Sequence, residues 1–158
     1  MIFEFGQYKV DIDVDKTRSF YENAPFVSEG CSCSGCRNYE KAIIVLSTEV
    51  TGFFSDLGVD MRKVCEVYVN YCNSDGTLFY GGFYHLCGTL LAGDSAWVPI
   101  NTSTSYWKKE QAFQVTNDFH ISFKRDYDLL EADFPRPVLQ LEISSNIPWV
   151  LHEENKYL

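Results

Sequence analysis

Residues 65–91 read CEVYVNYCNSDGTLFYGGFYHLCGTLL, and how this stretch folds decides the class of the whole chain. β-Branched and aromatic runs flank Asn73-Ser74-Asp75-Gly76, a polar tetrapeptide ending in glycine, which is the pattern of a β-hairpin. The spacing predicts strands over Cys65–Cys72 and Thr77–Leu91. Gly81-Gly82 inside the second strand predicts a bulge or the close approach of another backbone.

The same pleated pattern returns on both sides. Tyr8, Val10, Ile12 and Val14 alternate with Lys9, Asp11, Asp13 and Asp15, the period-two signature of a strand with one wet face. It is predicted to pair with Ile2–Phe5 across Gly6-Gln7. Downstream, Gln111–Thr116 and Phe119–Lys124 form a second hairpin around Asn117-Asp118, and Val138–Ile143 reads as a terminal strand anchored by Trp149. Ser19–Gly35 and Ala92–Tyr106 are loops by their proline and glycine punctuation.

One segment changes period. Tyr39, Ile43, Leu46, Val50, Phe53 or Phe54, and Leu57 recur at steps of three and four, which predicts a single long amphipathic helix of about five turns from Asn38. Gly58 stands where a left-handed cap would close it. Strands that do not alternate with helices argue against a parallel sheet. The expectation is one α+β domain over residues 1–158, mainly antiparallel sheet with one long helix.

The chain carries 13 basic and 22 acidic residues, a formal net charge of −9. Such a field repels phosphate backbones and anionic lipid surfaces, so neither nucleic acid nor a membrane is an expected partner. It favours a basic protein, or serves solubility alone. The N-terminal MIFEFGQYKVDIDVD lacks the basic and apolar regions of a secretory signal, and no apolar run approaches the roughly 18 residues of a spanning helix. The expected compartment is the cytoplasm, where cysteines are free thiols, metal ligands or redox groups more often than structural disulfides.

Three of the 6 cysteines are clustered in GCSCSGCRNYEKA, residues 30–42. Cys31, Cys33 and Cys36 have the spacing C-x-C-x-x-C, with small residues between them that let a turn aim several sulfurs at one point. Zinc needs four ligands, of which such a turn supplies two or three. His85 and Cys87 are the leading candidates to close the shell, and Cys65, Cys72 and His120 are weaker ones. The alternative is thiol- or metal-dependent catalysis by Cys33 or Cys36 with His85, with Cys36 activated just before the helix N-terminus. Buried packing alone would also explain the strand cysteines Cys65, Cys72 and Cys87.

Other residues are weaker signals. Asp11, Asp13 and Asp15 read as a solvated face, because hard cations prefer ligands gathered by a sharp loop. Phe79, Tyr80, Phe83, Tyr84, Trp97, Tyr106 and Trp107 read as core or as the lining of a cleft for a ring or sugar. No phosphate-loop, dinucleotide, HExxH or nucleophile-elbow motif occurs. That leans the chain away from an enzyme.

The ordered set CSCSGCRNYEKA, FFSDLGVD, CEVYVNY, LFYGGFYHLCG and FPRPVLQLEISSNIPWVL resembles a family of small uncharacterised bacterial proteins. Its pattern is C-x-C-x-x-C-x-N-[FYW], a helix ending L-G-[IV]-D, a G-G-[WFY]-Y-H strand and a late I-P-W-V-L segment. The resemblance runs from about Cys31 to Leu151. Matching positions are Cys31, Cys33, Cys36, Asn38, Gly81, Gly82, His85 and Trp149, while Cys87 lies outside the pattern. The resemblance implies no activity. From charge and size, an acidic protein-binding surface of the immunity-protein kind is the expected function, with a structural zinc in the cysteine loop.

Overall fold

The predicted hairpin is present and forms the spine of the structure. Glu66–Cys72 pairs antiparallel with the fifteen-residue strand Leu78–Ala92 in a computed structural model that describes the whole chain, residues 1–158. In chain order the elements are β1 (Ile2–Phe5), β2 (Tyr8–Ile12), α1 (Val14–Asn23), α2 (Val27–Gly30), α3 (Ser34–Ala42) and α4 (Thr48–Leu57). They continue as β3 (Glu66–Cys72), β4 (Leu78–Ala92), β5 (Trp97–Pro99), β6 (Ser105–Trp107), β7 (Phe113–Thr116), β8 (Phe119–Lys124) and β9 (Val138–Ile147). Seven of the strands form one antiparallel sheet in the order β1-β2-β4-β9-β8-β7, with β3 also on β4. The fold is therefore α+β.

β4 is long enough to take two partners on one edge. β3 lies along its first half and β2 along Gly88–Ala92, while β9 runs along the opposite edge from Leu78 to Cys87. Between β3 and β2 the backbone of β4 would be left without partners, and buried amides need them. Helix α1 fills the gap with side chains. Tyr21 Oη donates to His85 O (2.8 Å) and accepts from His85 N (3.2 Å), and Thr17 Oγ1 accepts from Cys87 N (3.1 Å).

Period two divides the sheet into two faces. Tyr80, Tyr84 and Leu86 of β4, Leu139, Leu141 and Ile143 of β9, and Phe119, Ile121 and Phe123 of β8 belong to the main core under the helices. Phe54 of α4 packs its ring against Tyr84 (4.9 Å) and Phe119 (5.8 Å). Burying a side chain of that size contributes about 1.5–3 kcal/mol. The opposite face carries Phe83, His85, Gln140, Glu142 and Ser122, all buried.

The diglycine is a place of close approach. A Cβ on Gly82 would lie 2.5 Å from Glu66 O, and one on Gly81 would meet the Tyr68 ring at 2.6 Å.

Several expectations are corrected. The single long helix is two: α3 passes into one 3-10 turn, Ile43–Val45, and α4 starts afresh. The β-branched run Ile43-Ile44-Val45 crowds an α-helical turn, Leu46 is extended (ψ −179°), and Ser47 caps the new helix by accepting from Val50 N. Gly58 does close it, at φ +81°, with Gly58 N bonded to Ser55 O and Val59 N to Phe54 O. The strand at Tyr8 stops at Ile12, because Asp13 caps α1 by accepting from Lys16 N (3.0 Å). Much of the predicted Ser19–Gly35 loop is helical, and the Ala92–Tyr106 loop contains β5, paired with β6 through packed Trp97 and Trp107. β9 is longer than predicted and central, inserted between β4 and β8. No helix is long and apolar enough to cross a membrane.

Candidate metal-binding groups

The cysteine loop is held in place from the sheet. Tyr80 Oη donates to Gly35 O (2.8 Å) in the first turn of α3. Asn38 Nδ2 donates to Tyr80 Oη and to Pro148 O (3.1 Å each), and its Oδ1 accepts from Val150 N (2.7 Å). Arg37 Nε donates to Ser32 O (2.9 Å), and its guanidinium pairs with Glu153. The first turn of α3, which carries Cys36, is thus tied to β4 and to the C-terminal segment.

Within the loop Cys33 is the N-cap of α3, its sulfur accepting from Cys36 N (3.4 Å). Cys36 therefore sits inside the first helical turn and not before it. Cys31 Sγ lies 3.3 Å from Cys33 Sγ, and the sulfurs of Cys31, Cys33 and Cys36 all fall within 4.8 Å of one another. Cys31 and Cys33 are exposed and Cys36 is buried. A hydrogen bond from the Cys33 backbone holds the Cys31 thiol below its ordinary range, with the neighbouring thiols adding to the effect. Burial pushes the Cys36 thiol up, and the two neighbouring sulfurs push it further. The sequence expectation that Cys36 is the activated thiolate is reversed in favour of Cys31.

The structure places His85 in a second group. Its fully buried ring has Nδ1 2.5 Å from Glu131 Oε1 and Nε2 3.0 Å from Gln140 Oε1. Both ring nitrogens are committed there, so the imidazole is not turned toward the loop cysteines as ligand or base. Cys65 Sγ, a His85 ring nitrogen and a Glu131 oxygen also lie within 4.8 Å of one another. Burial pushes the Cys65 thiol up to about 12, with the Glu131 charge acting in the same direction.

A charged network extends from this histidine along the polar face of the sheet. Gln140 Nε2 donates to Glu142 Oε1 (2.7 Å), Asp128 N donates to Gln140 Oε1 (2.7 Å), and Lys124 Nζ lies 2.9 Å from Asp128 Oδ2 and 3.5 Å from Glu142 Oε1. Burial raises the Glu142 carboxyl above its usual range, against the pull of Gln140 and Lys124. Burial alone would lower the Lys124 ammonium, but Asp128 and Glu142 outweigh it and raise the pKa.

The other predicted ligands go elsewhere. Cys87 is buried with its sulfur 3.6 Å from Arg136 O, Cys72 is 3.4 Å from Asn73 O, and His120 Nε2 is buried without a partner. Asp11 takes the N-terminal ammonium (3.0 Å), Asp13 caps α1 and Asp15 pairs with Arg18 (3.3 Å), so the aspartate row is structural surface. Glu131 and Gln140 were not singled out by the sequence. Glu131 lies in the irregular segment between β8 and β9, 46 residues from His85, and no spacing joins them. Gln140 and Glu142 did leave a trace, as polar residues alternating within LQLEI.

The two groups open on common ground. Cys31 and Cys36 from the loop, and Cys65 and Glu131 from the second group, line one cleft of about 320 Å³ whose wall includes Phe26 and Val67. Comparison with protein-family models, with curated proteins and with solved structures finds no match for the chain. What the groups can do is read from their chemistry.

Proposed function

We propose that the protein is a non-enzymatic, metal-clipped binding domain in which Cys31, Cys33 and Cys36 hold one zinc-type cation. The observation that carries this reading is the convergence of three sulfurs within 4.8 Å at the start of a nine-residue helix. A tetrahedral zinc with bonds of about 2.3 Å holds its sulfurs roughly 3.8 Å apart, so the loop needs only small adjustments to seat it. The first backbone N–H groups of α3 and the positive end of its dipole favour thiolates there. Soft thiolates select zinc-class ions over calcium or magnesium.

Three thiolates leave the fourth position for water or for a donor from a partner. The partner is a basic protein, on the strength of the net charge of −9, in the manner of an immunity protein. Elemental analysis of untagged, reduced protein is expected to show zinc, with Cys33→Ser lowering it by one equivalent per chain. Protein that takes up no zinc at the loop, and whose Cys31 stays freely alkylated in its presence, would overturn the reading. A pull-down at low salt that yields no basic protein would count against the partner.

A further inference from the structure

We infer that Cys65 Sγ, His85 Nδ1 and the Glu131 carboxylate form a second, independent site for a zinc-class divalent cation, reached through the cleft that Cys65 and Glu131 share with the cysteine loop. Gln140 Oε1 is only an acceptor, and the amide is held that way round by its Nε2 bond to Glu142 and by Asp128 N on the oxygen. His85 Nε2 therefore carries a proton. In the neutral ring the lone pair is on Nδ1, the atom turned toward Glu131, and Cys65 Sγ belongs to the same close group. An imidazole that donates one N–H to a fixed amide oxygen and presents the other nitrogen to a thiol and a carboxyl has the outer-shell arrangement of a metal-ligating histidine.

The donor set is one sulfur, one nitrogen and one oxygen, which zinc accepts at about 2.3, 2.0 and 2.0–2.2 Å. As it stands, Glu131 shares a proton with His85 at 2.5 Å. A tetrahedral ion needs that nitrogen and oxygen roughly 3.3 Å apart. Glu131 would therefore withdraw by less than about 1 Å, which its half-buried place in the irregular segment between β8 and β9 permits. Binding sends the shared proton and the Cys65 thiol proton to solvent, leaving one thiolate and one carboxylate to balance the divalent ion. Cys65 immediately precedes β3 and His85 lies in the middle of β4, and Cys65 N is bonded to Phe83 O (3.1 Å), so two of the three ligands are preorganised. Three protein ligands leave one position open to the cleft.

The probe is cobalt(II), whose sulfur-to-metal charge-transfer band scales with the number of thiolates. The full-length Cys31→Ser/Cys33→Ser variant is expected to bind one cobalt per chain with a one-thiolate band. Adding Cys65→Ser removes the band, and adding Glu131→Gln keeps it but weakens binding by at least about tenfold. In the wild type, Cys65→Ser alone is expected to remove one equivalent while leaving a multi-thiolate spectrum, which gives a readout that does not depend on the double variant folding. A folded Cys31→Ser/Cys33→Ser variant with no charge-transfer band, or a wild type whose cobalt uptake is unchanged by Cys65→Ser, would overturn the site. Loss of the loop equivalent alone bears only on the function proposed above.

Discussion

The two thiol-bearing groups face one cleft but are made in opposite ways. Cys31, Cys33 and Cys36 lie within six positions of the chain, two of them exposed, on a loop whose geometry is set by the cap of α3. Cys65, His85 and Glu131 come from three segments, and the ring at their centre is fully buried with both nitrogens engaged. In the first group the exposed sulfurs of Cys31 and Cys33 are open to a ligand, while Cys33 also caps α3 and Cys36 packs into the core. In the second the fold has already committed the side chains, so any ligand must displace an existing interaction. Proximity alone makes both look like sites; burial and prior partners separate what each contributes to stability.

The sharpest way to break this contrast is to remove one residue from each group in metal-free protein. His85→Ala strips the partner from the half-buried Glu131 carboxyl and the buried Gln140 amide and leaves a cavity. Leaving a buried hydrogen-bonding group without its partner typically costs about 1–3 kcal/mol, and the cavity adds to that. Cys31→Ser alters an exposed side chain, where changes stay within about 0.5 kcal/mol. Urea unfolding monitored by circular dichroism checks both. Equal losses for the two would show that the loop, too, is part of the core.

A second pair tests the backbones that carry the groups. A methyl group on Gly82 would press to 2.5 Å from Glu66 O and 3.1 Å from Val67 Cα, forcing β3 and its neighbour Cys65 away from β4. Gly82→Ala is expected to cost about 1–3 kcal/mol, the range for overpacking. Gly30, just before the cysteine loop, has nothing within 4 Å of such a methyl. Gly30→Ala is expected to be neutral or to stabilise by up to about 1 kcal/mol through the unfolded chain. A tolerated Gly82→Ala would mean the hairpin holds the second group less tightly than its contacts indicate.

The sequence was informative where structure is local. The β3–β4 turn, the second hairpin, the Gly58 cap and the cysteine loop all follow from residues a few positions apart. Helix α1 was missed because Asp13, which caps it, also fits the alternation of β2, and the reason for burying Thr17 and Tyr21 is a gap in a sheet edge that exists only after assembly. The break at Ile43–Leu46 was hidden for a related reason: the apolar steps of three and four run on through it, and only the β-branched run and Ser47 mark it. Glu131 left no signal because an irregular segment brings it to His85. A periodic pattern reports which face is buried, not what is buried against it.

Thiol reactivity sharpens the contrast in rate. The thiolate is the nucleophile, and the hydrogen bond from the Cys33 backbone lowers the Cys31 thiol, whereas burial raises Cys36 and takes Cys65 to about 12. In metal-free protein near neutral pH, Cys31 is expected to react with iodoacetamide at least about tenfold faster than Cys36 or Cys65. Its rate should already be levelling off at a pH where the other two are still climbing. Peptide mass mapping of timed samples measures this. Labelling of Cys36 first would restore the helix-activated thiolate expected from sequence.

The smallest effect concerns the cost of the network behind His85. The Glu142 carboxyl is raised mainly by burial, so its charged form is less favourable in the folded chain than in the unfolded one. That penalty is full above the folded pKa. It is relieved as pH falls toward the unfolded value of about 4.3, because the folded state takes up the proton first. Glu142→Gln keeps an acceptor for Gln140 Nε2 and leaves Lys124 its partner Asp128. The substitution is expected to stabilise the protein slightly at pH 7, with the gain shrinking as pH falls toward 4. A loss at pH 7 that fades in acid would mean that the Lys124–Glu142 attraction outweighs the desolvation of the carboxylate, and the buried face would then be held together by its charges instead of merely tolerating them.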